Sequence, residues 1–315
     1  MTDITAIGEI LIDLTQTGVS EQGIPVYTAF PGGAPANVAV AAARLGAETA
    51  FIGKVGSDAF GKLLVDTVRE NGVNADGMIV TDTANTTLAA VSLEPSGERD
   101  FAFYRKGFAD TLLCESEISE KQLKNTRFLH FGSVSLTDEP SRSATMNTAR
   151  KAKDLGAVIT YDPNYRASLW STLKDALYYM SQPLSFVDIL KISDEELVLL
   201  TGVDDAEQGT AMLYERYNIP LILVTLGADG AYFRFGSNTG LVEGFKVKVA
   251  DTNGAGDTFF GAFLSGMCRL QKYRPEELDE KDVYKLVLYA NKAASITTSR
   301  HGAIPAMPTA DEVML

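Results

Sequence analysis

Short apolar runs of four to eight residues return again and again between amphipathic stretches of helical period. This alternation, more than any other feature, limits the folds open to the chain. "ITAIGEIL", "TAFIGKVG", "RFLHFG", "AVITYD", "VDILKI" and "LILVTLG" have the length and apolar content of buried strands. "APANVAVAAARLG", "DAFGKLLVDTVRENG" and "SATMNTARKAKDLG" instead repeat apolar positions at helical spacing and stop at Gly or Asn-Gly. In the second of these, Phe60, Leu63, Leu64 and Val68 form the expected buried stripe and Gly72 the stop. Strand, helix and strand in succession are βαβ units, so the pattern predicts a doubly wound α/β core around a mostly parallel sheet.

Two regions, 14–30 and 86–105, break the rhythm. The second holds the strand-like segments "TTLAAVSLE" and "RDFAFYR", joined through "PSG", a turn composition, with no room for a helix between them. Both regions are expected to leave the core as antiparallel excursions and to meet as a small second sheet, a lid over the main site. No internal repeat, low-complexity tract or Pro-rich linker divides the chain, so one α/β domain over 1–315 is expected.

Charge excludes one large class of function. The formal net charge of −13 argues against binding nucleic acid, which relies on Lys and Arg to neutralise phosphates. The opening "MTDITAIGEILID" has neither the basic region nor the long apolar stretch of a signal peptide or membrane span, and a cytoplasmic location is expected. Cys114 and Cys268 lack ligand or disulfide spacing, and His130 and His301 sit in no nucleophile or metal pattern; packing roles are expected for all four.

Chemistry concentrates in "DTNGAGDTFFGAF", residues 251–263. After Gly256, the residues Phe259, Phe260, Phe263, Leu264 and Met267 share one helical face, so "NGAG" reads as the turn that opens a buried helix. A helix N-terminus attracts anions through unpaired N–H groups and the helix dipole, and small residues let a phosphate reach the backbone. Asp257 would lie in the first turn. A carboxylate there either caps the helix or takes a proton from a hydroxyl that attacks the phosphate; the residues alone leave both open. The second stretch, "PGGAPANVAVAAARLG", offers Gly32 and Gly33 for close backbone approach and Asn37 for hydroxyls, or else it is an Ala-rich helix behind a glycine turn. "GSDAFGKL" has Walker A spacing but places Leu63 where a magnesium-binding Ser or Thr belongs, and is read as a surface helix start. "GGAPAN" does not fit the dinucleotide fingerprint.

These two glycine-rich stretches, in this order and at this separation, resemble those of the ribokinase-like (phosphofructokinase B) carbohydrate kinases. "GEILIDL", "ERDFAFYR", "HFGSVSL", "YDPNYRASLW", "KISDEELVLLTG" and "VTLGADGA" are similar to the fructokinase branch of that family. The resemblance implies that Asp257 is the catalytic base and that Gly254, Ala255 and Gly256 form an anion hole. It implies sugar contacts from Asp13, Gly32, Gly33, Asn37, Arg105 and Arg166, and a nucleotide side lined by Asn164, Thr225, Gly227, Gly230 and Asn291. Glu196 would serve magnesium and phosphate positioning indirectly, with Ser193 where relatives often carry Asn. A potassium loop would map onto Asp251, Asn253, Thr297, Arg300 and Gly302, mainly through backbone. Ala306 lacks the hydroxyl that relatives can use at its position.

The expected reaction is therefore phosphorylation of a ketohexose, D-fructose at O6, by ATP with Mg²⁺. A 2-keto-3-deoxygluconate kinase, which would pair a substrate carboxylate with Arg105 and Arg166, is the nearest alternative. A non-catalytic sugar or nucleotide sensor on the same fold is the alternative of another class. The apolar segments "LAAVSL" and "FAFY" in the lid sheet suggest a homodimer formed through that sheet.

Overall fold

The structure, a computed structural model, describes residues 1–93 and 99–314. The strands in chain order are β1 (Thr2–Ile7), β2 (Leu11–Val19), β3 (Pro25–Gly32), β4 (Thr49–Gly56), β5 (Asn74–Thr81), β6 (Leu88–Leu93) and β7 (Arg99–Tyr104). They continue as β8 (Thr126–Gly132), β9 (Val158–Asp162), β10 (Ile189–Ser193), β11 (Leu221–Thr225), β12 (Gly230–Phe235) and β13 (Asn238–Glu243). The helices are α1 (Ala34–Arg44), α2 (Ala59–Glu70), α3 (Glu120–Lys124), α4 (Ser141–Asp154), α5 (Leu173–Ser181) and α6 (Asp194–Thr201). After them come α7 (Ala206–Tyr217), α8 (Ala255–Arg269), α9 (Glu280–Thr298) and α10 (Ala310–Val313).

Among the described residues, nine strands form the main sheet in the order β13-β12-β11-β10-β9-β8-β1-β4-β5. Pairing is parallel from β11 across to β5, and only β12 and β13 run antiparallel. Helices cover both faces, which is why the strands are apolar throughout rather than alternating. On β8, Phe128 packs with residues of α8 and α9 while its neighbours Leu129 and Phe131 pack on the opposite face with residues of α4. The doubly wound core is as the alternation of runs predicts.

The helical stripes hold with one correction. Phe259, Phe260, Phe263, Leu264 and Met267 of α8 are all buried, and Leu64 and Val68 of α2 likewise. Leu63, placed on the buried stripe of α2 by its spacing, is 40% exposed. It lies about 100° of helical rotation from Leu64, at the centre of the stripe, and faces solvent instead. Gly72, at φ 79°, ends α2 as expected, its N–H bonding Arg69 O.

Between α1 and α8 the backbones approach closely. A Cβ on Gly261 would stand 2.7 Å from both Ala41 Cβ and Val38 O. The run of alanines on α1 and the glycine on α8 thus let two helix N-termini lie side by side.

The two excursions form a four-stranded sheet in the order β3-β2-β6-β7. Each excursion is antiparallel within itself, but the two are joined by a parallel pairing of β2 with β6, Ile12↔Leu88 to Thr15↔Val91. The "PSG" turn lies outside the described residues. Because β1 has β4 on one side and β8 on the other, the strand order reverses beside it. In open α/β sheets the crevice at such a reversal, beyond the carboxyl ends of the strands, is where ligands bind. Among the described residues, no helix is long and apolar enough to cross a membrane.

Candidate active site

Helix α8 begins where the sequence pattern places it, and its N-terminus is built for close approach. Gly254 is the N-cap residue at φ 72°, a left-handed conformation that a Cβ would strain; here the Cβ would also stand 2.9 Å from Ala303 Cβ. No side chain caps this end. The capping reading of Asp257 therefore falls: its Oδ2 accepts a 2.8 Å hydrogen bond from Asn37 Nδ2 on α1 instead. Ala255 N–H leans back on Thr252 O at 3.3 Å. A Cβ on Gly256 would lie 2.9 Å from Lys191 Nζ.

Two cavities meet at this helix end. The first is polar and is lined by Asp13, Gly33, Asn37, Asn164, Arg166 and Asp257, with Gly254 at its edge. The second, about 390 Å³, takes in Ala255 and Gly256 together with Thr225, Gly227, Gly230 and Asn291. Val247, Val249 and Ala294 supply apolar wall, suited to a flat heteroaromatic base. The backbone of residues 254–256 thus stands between a polar chamber and a larger, partly apolar one.

Burial shifts the Asp257 carboxyl upward. Desolvation, followed by the nearby Asp162 carboxylate, raises it to about 6; the Asn37 hydrogen bond and the charges of Lys191 and Arg166 hold it from rising further. It is therefore mostly ionised at neutral pH and still able to accept a proton.

Other site residues fall in different surroundings from those the resemblance implies. Asn164, expected on the nucleotide side, lines the polar cavity at φ 48°, its N–H bonded to Asp162 Oδ1 at 3.2 Å. Arg105, expected to face the sugar, is 4% exposed and lies in a buried ion pair, Nε to Asp110 Oδ2 at 2.6 Å, with Nη1 on Thr137 Oγ1. Arg166 is the exposed arginine of the pair and does line the polar cavity. Gly32 lies behind Asp13, whose Oδ2 would be 2.5 Å from a Cβ there.

Glu196 has both oxygens engaged, Oε1 by Tyr165 N–H at 2.6 Å and Oε2 by Ser193 N–H at 2.9 Å. Ser193 and Glu196 form a reciprocal capping box that starts α6. Asp251 likewise organises a loop, accepting from Asn253 N–H at 2.8 Å and Gly302 N–H at 3.1 Å, and both partners line a further cavity beside it. Thr297 is buried against Thr258, and Arg300 pairs with Glu312. Among the described residues, no cluster of three His, Cys, Asp or Glu forms a metal cage.

Three residues that the sequence reading did not single out belong here. Lys191, in the middle of β10, and Asp162, at the end of β9, form a buried ion pair of 2.7 Å. Burial works against the Lys191 charge, but Asp162, Glu196 and Asp257 outweigh it and raise its pKa. Glu9 is buried at the wall of the polar cavity. The signal for the pair was present: a Lys inside "VDILKI" and an Asp closing "AVITYD" are charges in strands otherwise buried on both faces, where they survive only when paired. His130, by contrast, is a core residue, edge-on to Phe260 and lowered to about 4 by burial.

Comparison with known proteins agrees with this geometry. Residues 1–310 match the family described as pfkB family carbohydrate kinase. Fructokinase-1 of Zea mays is 42% identical over 313 residues, covering 99% of this chain and 96% of the relative. The crystal structure of fructokinase with bound ATP from Xylella fastidiosa superposes with a TM-score of 0.91 at 33% identity, covering 99% of this chain and 96% of that one. A double mutant of the fructokinase from Vibrio cholerae O395, in fructose-, ADP- and potassium-bound form, gives a TM-score of 0.89 at 33% identity over 99% of this chain and 97% of that one.

Proposed function

The chain belongs to the pfkB family of carbohydrate kinases, and from that premise we propose that it transfers the γ-phosphoryl group of ATP to O6 of D-fructose. The observation that carries this reading is the shared wall: Asp257 faces the polar cavity while Ala255 and Gly256, one turn of the same helix, line the larger one. Relatives named as fructokinases, including one bound to fructose and ADP, support the choice of sugar.

In this reading the sugar lies in the polar cavity, gripped by Asp13, Asn37 and Arg166, and the adenine lies against Val247 and Val249. Asp257 takes the O6 proton as the bond from O6 to Pγ forms and the bond between Pγ and the bridging oxygen breaks, releasing ADP. Phosphoryl transfer asks for alignment and charge stabilisation rather than covalent catalysis. The N-terminus of α8 meets the transferring charge with backbone N–H groups, which is how a chain of net charge −13 binds a polyanion locally.

Magnesium fits this donor set as a nucleotide-borne ion. Asp162 and Glu196 are buried carboxylates near Lys191 and Asp257 whose oxygens already accept protein hydrogen bonds, so they would position the ion indirectly while phosphate oxygens hold it directly. When bound it neutralises phosphate charge. The Asp251 loop, ordered by Asn253 and Gly302, would present carbonyl oxygens to a potassium ion.

The small sheet acts as a lid and as a dimer face. Val19, Val26, Tyr27 and Tyr104 of this sheet and Ile24 of its first turn are exposed apolar residues, some of which a second copy would cover. The reaction is placed in the cytoplasm, where ATP is supplied.

The test is ADP release by purified protein with Mg-ATP and fructose, ribose, 2-keto-3-deoxygluconate, fructose 6-phosphate or adenosine, with and without potassium. Strong turnover on fructose alone is expected. Preference for 2-keto-3-deoxygluconate would transfer the site to an acid sugar, and silence across the panel would favour a sensor.

A further inference from the structure

Four crossings join the small sheet to the core: residues 8–10 lead into β2, Gly33 leads out of β3, Thr86 and Thr87 lead into β6, and Arg105 leads out of β7. Buried carboxylates tie these crossings in pairs. Glu9 Oε1 accepts the N–H of Ala34 at 3.1 Å, fastening the first crossing to the second. Asp110 accepts from the Thr87 hydroxyl and from Arg105 Nε, fastening the third to the fourth. The charges of Arg105 and Asp110 both act on Glu9, so the two ties are neighbours.

Each tie leaves one group over. Among the described residues, Glu9 Oε2 and Arg105 Nη2 are buried polar atoms with no protein partner. A carboxylate oxygen left unmet in such surroundings is destabilising, and it is tolerated where a ligand completes it. Glu9 is 2% exposed, yet it lines the same polar cavity as Asp13, Asn37, Arg166 and Asp257. A Cβ on Gly33 would stand 2.6 Å from Glu9 O, so the first two crossings lie backbone against backbone.

We propose that Glu9 is a sugar-contacting residue whose Oε2 forms a hydrogen bond with a hydroxyl other than the one phosphorylated, at the end of the cavity beside the lid junction. The inference rests on the sugar-kinase reading above. It gives the chain a specificity contact that acts on the same side chain that fastens the lid to α1, and α1 in turn carries Asn37 to Asp257.

Glu9→Gln tests it, because the amide oxygen can still accept Ala34 N–H while the second oxygen is replaced by a donor. The sugars are D-fructose, its 1-, 3- and 4-deoxy derivatives and 2,5-anhydro-D-mannitol, all of which keep O6. E9Q is expected to lower kcat/KM for fructose by roughly 5- to 100-fold, the range for leaving a buried hydrogen-bonding group unmet. The loss should fall on the sugar KM, with the ATP KM unchanged. One deoxy analogue, already poorer with the wild type, should lose nothing further. Glu9→Asp, which shortens the reach of the carboxylate, should give the same pattern and serves if E9Q does not fold.

Equal losses on every sugar, or none, would reduce Glu9 to a structural tie and overturn the proposal. Sugar binding is read separately as the rise in Tm of the ATP-free protein. Failure of the wild type to turn over fructose, which sinks the functional reading, is thereby distinguished from a wild-type analogue pattern in E9Q, which sinks this one.

Discussion

Asn37 Nδ2 donates a 2.8 Å hydrogen bond to Asp257 Oδ2, joining the first turns of α1 and α8 across 220 residues of sequence. The bond fixes where the carboxylate points and favours its ionised form. Both consequences can be measured.

Asp257→Asn removes the proposed base and keeps the shape. The expected loss in kcat is ~10² to 10⁴, the usual contribution of a positioned general base. Turnover of fructose within a few fold of the wild type would take the role away from Asp257.

The pH profile follows from the direction of the Asp257 shift. The carboxyl is raised to about 6, so kcat/KM should fall as pH drops through that region and protonates it. Asn37→Leu removes the hydrogen bond that opposes the rise, and its acidic limb should move to higher pH. An unchanged limb would mean that another group controls it.

Gly261→Val drives a branched side chain into the contact where even a Cβ would meet Ala41 and the Val38 carbonyl at 2.7 Å. Overpacking of this kind costs ~1–3 kcal/mol, and backbone atoms on one side leave little room for relief. Denaturant unfolding measures the loss. Sugar turnover should fall as well, because parting α1 from α8 disturbs Asn37 and Asp257.

Lys191→Met leaves Asp162 as a buried charge without its ammonium partner. The expected destabilisation is ~3–5 kcal/mol, and the double variant carrying Asp162→Asn should recover a large part of it. Equal stability of the single and double variants would show that the stranded Asp162 charge is not the source of the loss.

What the sequence determined on its own was everything governed by local period and local backbone freedom. The run lengths gave the parallel core, Gly254 and Gly256 marked a helix start, and the apolar stripe after Asp257 set the buried face of α8. Whether Asp257 capped or reacted was not legible, because the answer depended on Asn37, brought alongside only by the packing of alanines on Gly261. Only the tertiary structure separated Arg166, open to the cavity, from Arg105, tied to Asp110, since both follow a tyrosine in the chain. The same holds for Asn164, which the fold places at the polar cavity. Glu9 stands as a lone charge in "ITAIGEIL", but nothing local told what it would meet. Hydrogen-bond partners and desolvation are set by residues distant in sequence, and they decide whether a polar side chain serves the fold or the site.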